Sequence, residues 1–242
     1  MISVCIATYN GEKYIKEQLC SILQQLGVED EIIISDDFST DKTKEIVLGI
    51  DDKRIHFYEN HRGKKGLRSI NLITTNYENA LKKAQGDIIF LADQDDVWLP
   101  DKVDISTKYL NTYDYVVSDC YITDKDLNVL CDSRFTYGKF TKSKWKALFL
   151  PTPYQGSCAA FKRKVLEKAL PFPKGIQSHD RWIGYIASFG FRYKIINEKL
   201  IYYRRHDKVT SSQIESKESF RYKVGVRLKY IYELLWRLVF HN

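Results

Sequence analysis

Short apolar runs alternate with segments of helical periodicity over the first part of the chain. Residues 2–7, 31–35 and 87–92 are almost continuously apolar, which predicts strands that are buried on both faces. The first two runs are separated by apolar residues at helical spacing, which are Ile15, Leu19, Ile22, Leu23 and Leu26. Strands and helices that alternate in this way predict an open, mostly parallel α/β sheet flanked by helices.

The second half of the chain continues this alternation less regularly. Residues 121–130 have the pattern of a hairpin that turns at 126–128. The remaining predicted strands are at 54–59, 115–118, 158–161, 193–196 and 200–203, and the remaining predicted helices are at 42–48, 77–84, 164–170 and 180–189. Since no repeat or low-complexity linker interrupts these elements, we expect one α/β domain over residues 1–212.

Residues 213–242 have a different character and predict a basic amphipathic helical tail. Six apolar residues within 216–240 share one predicted helical face, namely Phe220, Val224, Leu228, Ile231, Leu235 and Leu238. Lysines and arginines lie mostly on the other faces. Such a helix fits an anionic membrane surface, a packing contact with the domain or a contact between two subunits, and of these we favour the membrane.

The composition is that of a folded protein. Apolar residues make up 44% and charged residues 29% of the 242 residues, which excludes an intrinsically disordered chain. The five cysteines are odd in number and have no CxxC spacing, so we expect a reducing compartment rather than disulfides or structural zinc. The sequence has neither a signal peptide nor an apolar run of membrane-spanning length. We therefore expect a cytoplasmic protein, with the tail allowing peripheral association with the inner face of the cell membrane.

The chain has a net charge of +7, from 38 basic and 31 acidic residues. A basic excess of this size is compatible with nucleic acid, anionic lipid or phosphorylated small molecules as partners. No aromatic-rich nucleic-acid motif is present, so we expect no nucleic-acid partner.

Polar turns follow three of the predicted strands, at 8–11, 36–37 and 93–96. Because the carboxyl ends of parallel strands lie along one edge of a sheet, a ligand site is expected there. Asp93 and Asp95 suit a hard divalent cation such as Mg²⁺ or Mn²⁺, which prefers oxygen ligands and is often shared with substrate phosphates. The competing interpretation of this acidic turn is that water alone solvates it.

Two residues near the first turns have both a binding and a structural interpretation. Asp37 is suited to accept a hydrogen bond from the imide N–H of a pyrimidine base, or else to cap a turn with Ser39 and Thr40. Tyr9 either stacks on such a base or packs against the domain.

The second half offers two further candidates with competing roles. Asp180 opens a predicted helix and is either its N-cap or a general base for an acceptor hydroxyl. His206 either completes a metal shell or contacts phosphate, or else is a structural or exposed side chain. In the first case Arg204 and Arg205 add positive charge beside it.

Three segments, in their order and spacing, resemble the family-2 glycosyltransferases of the GT-A fold. They are SVCIATYNG at 3–11, ISDDFSTD at 34–41 and FLADQDDVW at 90–98. The last is similar to the bacterial branch of rhamnosyl- and related transferases of surface-polysaccharide synthesis, and HDRW at 179–182 resembles the acidic base motif of the family. The resemblance is close over residues 1–98, looser over 155–206 and absent in the tail.

The resemblance implies an inverting transfer from a UDP- or dTDP-sugar to an acceptor hydroxyl on a saccharide or a lipid-linked saccharide, with Mg²⁺ or Mn²⁺ as cofactor. It implies that Asp180 is the catalytic base and that Asp95 and His206 are metal ligands. The residues that it assigns to the nucleotide-sugar are Thr8, Tyr9, Asn10, Asp37, Arg68, Asp93, Gln94, Gln155 and Gly156. Phe38 stands where the family often has glycine or another small residue, which bears on the shape of that turn.

Two other enzyme classes and one binding module remain as alternatives. A haloacid-dehalogenase-type phosphatase would use Asp93 as its nucleophile, although its Asp-x-Asp motif normally follows the first strand. A sugar nucleotidyltransferase shares a nucleotide-binding sheet but usually has a glycine-rich phosphate loop, whereas the first turn here has only Gly11. The non-enzymatic alternative is a basic, metal-stabilised module that binds nucleic acid or lipid.

Overall fold

The computed structural model describes residues 1–60, 69–205 and 220–240, which form strands and helices in alternation. The strands are β1 (Ile2–Thr8), β2 (Glu31–Asp36), β3 (Ile55–Glu59), β4 (Ile88–Asp93), β5 (Val97–Trp98), β6 (Tyr115–Thr123), β7 (Val129–Cys131), β8 (Ala159–Lys162) and β9 (Tyr193–Arg204). The helices are α1 (Ile15–Leu23), α2 (Thr43–Leu48), α3 (Ser69–Leu81), α4 (Lys102–Leu110), α5 (Arg134–Gly138), α6 (Lys144–Ala147), α7 (Arg163–Ala169), α8 (His179–Gly190) and α9 (Phe220–Phe240), with a 3₁₀ turn at Gly156–Cys158.

The strands form one sheet with a parallel and a mixed part. The parallel part has the order β3-β2-β1-β4, and its strands are connected through helices. In the mixed part, β8 pairs antiparallel with both β4 and β6, and β9 pairs parallel with β6 and antiparallel with β5. β7 forms the expected hairpin with β6. The predicted α/β sheet, with a mostly parallel part flanked by helices, is thereby confirmed.

The strand register places the three predicted polar turns together. Thr8 on β1 lies opposite Asp36 on β2, and Ala7 lies opposite Asp93 on β4. The three parallel strands therefore end at the same level, and the residues that follow them share one edge of the sheet.

The burial of the parallel strands explains why their sequences are almost continuously apolar. All six residues of β2 are buried, as a strand covered on both faces requires. Ile15, Leu19 and Ile22 of α1 have no exposed surface, so the face that the spacing predicts is the one that packs. Full burial of each of these side chains contributes about 1.5–3 kcal/mol to folding.

Several elements differ from their predictions or were not predicted. The sequence predicts two short strands at 193–196 and 200–203, whereas β9 is continuous because β6 pairs along most of its length through two shifts of register. Helix α4 lacks a regular apolar pattern because one of its fully buried positions is occupied by a polar residue, Lys102. Helix α3 begins at Ser69, earlier than predicted. The short elements β5, α5 and α6 have too few residues for a periodic pattern.

Helix α9 packs on the domain, mainly against α8, and its buried residues are not those of the predicted apolar face. Tyr230, Leu234 and Arg237 are the buried residues of this helix. Leu228 and Leu235, which belong to the predicted apolar face, are 60% and 59% exposed. The helix has apolar residues on two opposite sides, and the domain covers only one of them.

Within the described ranges, no helix combines the length and the apolar character that spanning a bilayer requires. The predicted boundary between residues 212 and 213 lies outside the described residues, so the division into a domain and a tail stays a prediction.

Candidate active site

The two adjacent carboxylates in the turn after β2, Asp36 and Asp37, have different hydrogen-bond partners. Asp36 accepts hydrogen bonds from Thr8 Oγ1 at 2.7 Å, from the backbone N–H of Ser39 at 2.7 Å and from Ser39 Oγ at 2.6 Å. The hydrogen bonds to Ser39 that the capping interpretation gave to Asp37 are thus made by Asp36. Between Asp37 and Ser39, Phe38 has a φ of 58°, a left-handed conformation that glycine adopts with less strain.

The backbone of Asp37 is fixed at the end of β1. Its N–H donates to the carbonyl oxygen of Thr8 at 2.9 Å, and Asn60 Nδ2 lies 3.4 Å from its Oδ1. Asn76 Nδ2 donates to the same Thr8 carbonyl at 3.1 Å. Thr8 and Asp37, both predicted to contact the nucleotide-sugar, therefore lie in direct contact at the sheet edge.

Gln94 links the acidic turn to the turn after β1. The N–H of Tyr9 donates to Gln94 Oε1 at 2.9 Å, and Gln94 Nε2 donates to the carbonyl of Tyr9 at 3.1 Å. A Cβ at Gly11 would lie 2.5 Å from Gln94 Oε1, so this link requires glycine there. The ring of Tyr9 is 53% exposed, which leaves a face for stacking.

Asn10 uses its side chain within the protein. It has a φ of 49°, and its Oδ1 accepts a hydrogen bond from the N–H of Thr40 at 2.8 Å. Its own N–H donates to Ser39 Oγ at 2.8 Å. Asn10 therefore joins the turns after β1 and β2, and its predicted contact with the nucleotide-sugar is not tested by this geometry.

Three carboxylates crowd the turn after β4. Asp93 Oδ1 accepts a hydrogen bond from Tyr77 Oη at 2.6 Å, and burial together with the charge of Asp95 raises the pKa of Asp93 to about 6. Asp96 has no exposed surface, and burial and the charges of Asp95 and Asp93 hold its pKa well above the ordinary value. Its Oδ2 has no hydrogen-bond partner among the described residues. A divalent cation would relieve this repulsion, so the turn fits a hard metal ion.

The described residues supply only part of a metal shell. They contain no group of three or more histidine, cysteine, aspartate or glutamate side chains arranged to hold a metal ion. The predicted ligand His206 lies outside the described residues, as does Arg68 of the predicted nucleotide-sugar set. Both assignments stay predictions.

Arg204 supports the acidic turn from the end of β9. Its guanidinium donates to the carbonyl of Asp95 at 2.8 Å and to Glu17 Oε2 at 2.5 Å, and its backbone N–H donates to Asp96 Oδ1 at 3.0 Å. The side chain is buried. Its charge therefore fixes the turn from within and is not presented to a phosphate, contrary to the sequence-based interpretation.

Asp180 lies in the first turn of α8, but the N-cap of this helix is Ser178, whose side chain accepts from the N–H of Arg181 at 3.3 Å. Asp180 Oδ1 accepts hydrogen bonds from Ser178 Oγ and from the N–H of Arg181. Asp180 is connected to Asp93 through its neighbour His179, whose ring stacks on Tyr77, and Tyr77 donates a hydrogen bond to Asp93. The half-buried Asp180 side chain is thus not needed as the cap.

His179, which the sequence alone did not single out, lies between the two parts of the site. Its ring stacks on Tyr77 with 3.8 Å between ring centroids, and Tyr77 in turn contacts Asp93. Burial lowers the pKa of His179 to about 4, so the ring is neutral near pH 7. A Cβ at Gly156 would lie 3.2 Å from His179 Nε2 and 3.5 Å from Asp180 Cβ. A side chain at position 156 would therefore crowd His179 beside the candidate base.

The 3₁₀ turn that contains Gly156 rests on a buried lysine. Lys102 Nζ donates to the carbonyl of Ser157 at 3.1 Å, and burial lowers the pKa of Lys102 to about 8. Gln155 precedes the turn and is half-buried. Lys102 was missed in the sequence because a lysine in a helix usually indicates an exposed position.

The sequence matches a known family over most of its length, because residues 3–170 fit the description Glycosyl transferase family 2. The chain belongs to this family. It is 27% identical over 256 residues to an uncharacterised glycosyltransferase of Nostoc sp., covering 98% of this chain and 76% of that protein. It is 32% identical over 213 residues to one of Methanocaldococcus jannaschii, covering 84% of this chain and 70% of that protein.

A third relative in the same family has a stated activity. The UDP-Glc:alpha-D-GlcNAc-diphosphoundecaprenol beta-1,3-glucosyltransferase WfgD of Escherichia coli is 28% identical over 148 residues. The match covers 59% of this chain and 56% of WfgD.

Solved structures have the same GT-A fold as this family-2 glycosyltransferase. TarS 1–349 of S. aureus, in complex with UDP-GlcNAc, matches with a TM-score of 0.72 at 17% identity, over 99% of this chain and 68% of that one. The mannosyltransferase PcManGT of Pyrobaculum calidifontis, in complex with GDP-Man and Mn²⁺, matches with a TM-score of 0.57 at 25% identity, over 82% of this chain and 54% of that one.

The family decides between the enzyme classes that the sequence left open. The chain is a glycosyltransferase, and neither the phosphatase nor the nucleotidyltransferase is supported. The fold agrees, since Asp93 follows the fourth strand of the chain rather than the first.

Proposed function

We propose that this glycosyltransferase transfers a sugar, with inversion, from a UDP- or dTDP-sugar to a hydroxyl of a saccharide or lipid-linked saccharide in bacterial surface-polysaccharide synthesis. The observation that carries the proposal is the convergence of Asp37 and the acidic turn on one sheet edge, with Asp180 beside them through its neighbour His179, which stacks on Tyr77 next to Asp93. The activity of WfgD and the UDP-GlcNAc bound to TarS support the donor and acceptor classes.

The nucleotide binds at the ends of β1 and β2 in this proposal. Asp37 accepts a hydrogen bond from the imide N–H of the pyrimidine, since its backbone is fixed by Thr8 and the turn is built by Asp36 instead. The exposed ring of Tyr9 covers one face of the base. Both contacts are common to uracil and thymine, which is why the proposal covers both classes of donor.

The diphosphate binds at the acidic turn. Asp95, with Asp93 beside it, would hold Mg²⁺ or Mn²⁺ together with oxygen atoms of the diphosphate, and the bound cation supplies positive charge that stabilises the leaving group. The raised pKa of Asp93 and the electrostatic repulsion among the three adjacent carboxylates support a cation at this turn. The Mn²⁺ in PcManGT supports the same class of metal.

The transfer itself is a single displacement. Asp180 removes the proton from the acceptor hydroxyl while that oxygen forms a bond to the anomeric carbon of the donor sugar. The bond between the anomeric carbon and the diphosphate breaks on the opposite face, and the nucleoside diphosphate leaves with the electron pair. Gly156 provides the space beside Asp180 in which the reacting groups meet, because any larger residue would contact both His179 and Asp180.

A donor panel tests this proposal without knowledge of the acceptor. The protein is incubated with nucleotide-sugars in the presence of Mn²⁺ or EDTA, and release of free nucleotide is measured. We expect Mn²⁺-dependent release of UDP or dTDP from one donor, lost in Asp95→Ala and retained in Asp51→Asn. Asp51 is an exposed carboxylate before β3, at the opposite edge of the sheet, and serves as the matched control.

Two other outcomes have defined meanings. Release of pyrophosphate or inorganic phosphate would favour one of the other enzyme classes. No release from any donor, combined with no metal-dependent thermal shift by UDP or dTDP, would contradict the proposed nucleotide site.

A further inference from the structure

The outward face of α9 carries an apolar stripe that the domain does not cover. Leu228, Tyr232, Leu235 and Val239 follow one another at helical spacing and are 60%, 66%, 59% and 60% exposed. They lie on the side of the helix opposite Tyr230 and Leu234, which pack on the domain. An apolar stripe of this length on an otherwise packed helix marks an interaction surface.

A second exposed apolar group comes from a distant part of the chain. Within residues 134–150, which contain α5 and α6, Trp145 is 66% exposed, Phe149 is 54% exposed and Leu150 is 51% exposed. This group and helix α9 both contact the C-terminal end of α8. The ring of Trp145 packs against Phe189 with 5.0 Å between centroids, and a Cβ at the adjacent Gly190 would lie 2.9 Å from Leu238 of α9.

The basic excess of the protein is concentrated in these two segments. Residues 134–150 contain five basic and no acidic residues, and residues 220–240 contain five basic residues and one acidic residue. Together they carry a net charge of +9, or +8 without the buried Arg237, compared with +7 for the whole chain. The rest of the chain is therefore slightly acidic. A partner that selects both exposed aromatic groups and positive charge is an anionic lipid surface.

We propose that residues 134–150 and the outward stripe of α9 form one composite surface that binds the face of an anionic bilayer. Aromatic and aliphatic side chains of both segments enter the interface, and the lysines and arginines around them attract the anionic headgroups. The tail alone is only half of this surface. The protein lies on the bilayer and does not insert a spanning helix.

The composite surface is connected to both sides of the candidate base. Residues 151–155 lead from the first segment directly into the turn at Gly156. Tyr230 of α9 accepts hydrogen bonds through its Oη from the backbone N–H groups of Gln177 and Ser178, just before Asp180. If the acceptor is lipid-linked, which rests on the proposed function, this arrangement keeps the site next to the membrane that carries it.

Vesicle flotation of the full chain tests the composite surface. The vesicles are phosphatidylcholine alone or phosphatidylcholine mixed with phosphatidylglycerol, at low and at high salt. We expect binding to the anionic vesicles only, weakened by salt because the attraction is screened. We expect Trp145→Ser with Phe149→Ser, and separately Tyr232→Ser with Leu235→Ser, each to lower the partition coefficient about tenfold or more, and all four together about a hundredfold.

Matched controls distinguish a specific effect of this surface from nonspecific hydrophobic binding and from misfolding of the variants. Val28→Ser with Leu48→Ser removes two exposed apolar side chains outside the two segments and is expected to bind like the wild type. Thermal unfolding and metal-dependent donor hydrolysis of each variant report on the fold and on the proposed reaction independently of lipid binding. Loss of lipid binding with hydrolysis intact would therefore concern this surface alone.

Three results would overturn the proposal. They are equal binding to neutral and anionic vesicles, no effect of the Trp145 and Phe149 substitutions, and a stable dimer in light scattering that the Tyr232 and Leu235 substitutions convert to a monomer. The last result would assign the stripe to a second copy of the chain.

Discussion

The proposed site has two halves that are built differently. The donor half is formed by Thr8, Asp37, Asp93 and Asp95. The acceptor half is formed by Gly156, His179 and Asp180. The donor half follows parallel strands whose register fixes where each turn begins. Backbone and side-chain hydrogen bonds then join the turns, as between Tyr9 and Gln94. The position of each donor-side group is therefore set by several redundant contacts.

The acceptor half depends on side chains from separate elements. The turn at Gly156 rests on Lys102, and the loop before Asp180 is held by the hydroxyls of Tyr230 and Thr74. His179 is positioned by stacking on Tyr77 rather than by a hydrogen bond to its Nε2, which has no partner among the described residues. We therefore expect small changes to disturb the acceptor half more than the donor half.

The largest effect on the acceptor half is expected when the negative charge of Asp180, the candidate base, is removed. Asp180→Asn preserves the shape of the side chain and removes its ability to accept a proton. We expect the rate of sugar transfer to fall by about 10²–10⁴-fold, the usual contribution of a positioned general base. The check is kcat with a saturating acceptor. A rate close to that of the wild type would show that Asp180 is not the base.

The second prediction uses the buried imidazole of His179. Burial lowers its pKa from 6.5 to about 4, so the unfolded chain takes up a proton at a higher pH than the folded protein does. The fold therefore loses stability as the pH falls from about 6.5 to about 4, by up to about 3 kcal/mol. We expect the free energy of unfolding of His179→Phe to decrease less across this window.

Urea unfolding at several pH values within and above the window measures this difference. The exposed His56 provides the control, since His56→Phe is expected to follow the pH dependence of the wild type. Parallel curves for wild type and His179→Phe would mean that the imidazole is not buried as described.

The third prediction adds one methyl group to the acceptor half. Gly156→Ala places a Cβ 3.2 Å from His179 Nε2 and 3.5 Å from Asp180 Cβ. We expect kcat to fall about tenfold through displacement of the base, and the free energy of unfolding to decrease by about 1–3 kcal/mol. Binding of UDP, which the donor half determines, is expected to stay unchanged.

Gly225→Ala is the matched control for this substitution, because nothing lies within 4 Å of a Cβ at that helical position. It is expected to leave activity unchanged and to raise stability by about 0.5–1 kcal/mol. If Gly156→Ala has full activity, the acceptor half is less tightly packed than we describe.

The sequence predicted the placement of the donor-half residues well, and their contacts with a donor stay a proposal. Apolar runs followed by polar turns predicted β1, β2 and β4, and the shared edge follows from the geometry of parallel strands. The sequence did not distinguish the tasks of Asp36 and Asp37, because that distinction depends on which carboxylate faces Ser39 in the folded turn.

The acceptor half was predicted less well for physical reasons. The buried Lys102 has the residue type of an exposed position, and His179 and Tyr77 meet only through tertiary packing. The sequence did not identify the residues that α9 buries against the domain, because apolar residues occur on two sides of the helix. The spacing of apolar residues shows which face of a helix is apolar, but it does not show whether the protein itself or another surface covers that face.

The most direct test of the division between the two halves is the affinity for UDP or dTDP, measured by calorimetry with Mn²⁺ for the wild type, Asp95→Ala and Asp180→Asn. We expect Asp180→Asn to bind the nucleotide like the wild type although it no longer transfers sugar. We expect Asp95→Ala to bind at least about tenfold more weakly. Equal loss of nucleotide binding in both variants, with both still folded, would contradict a donor half that binds and an acceptor half that carries the base.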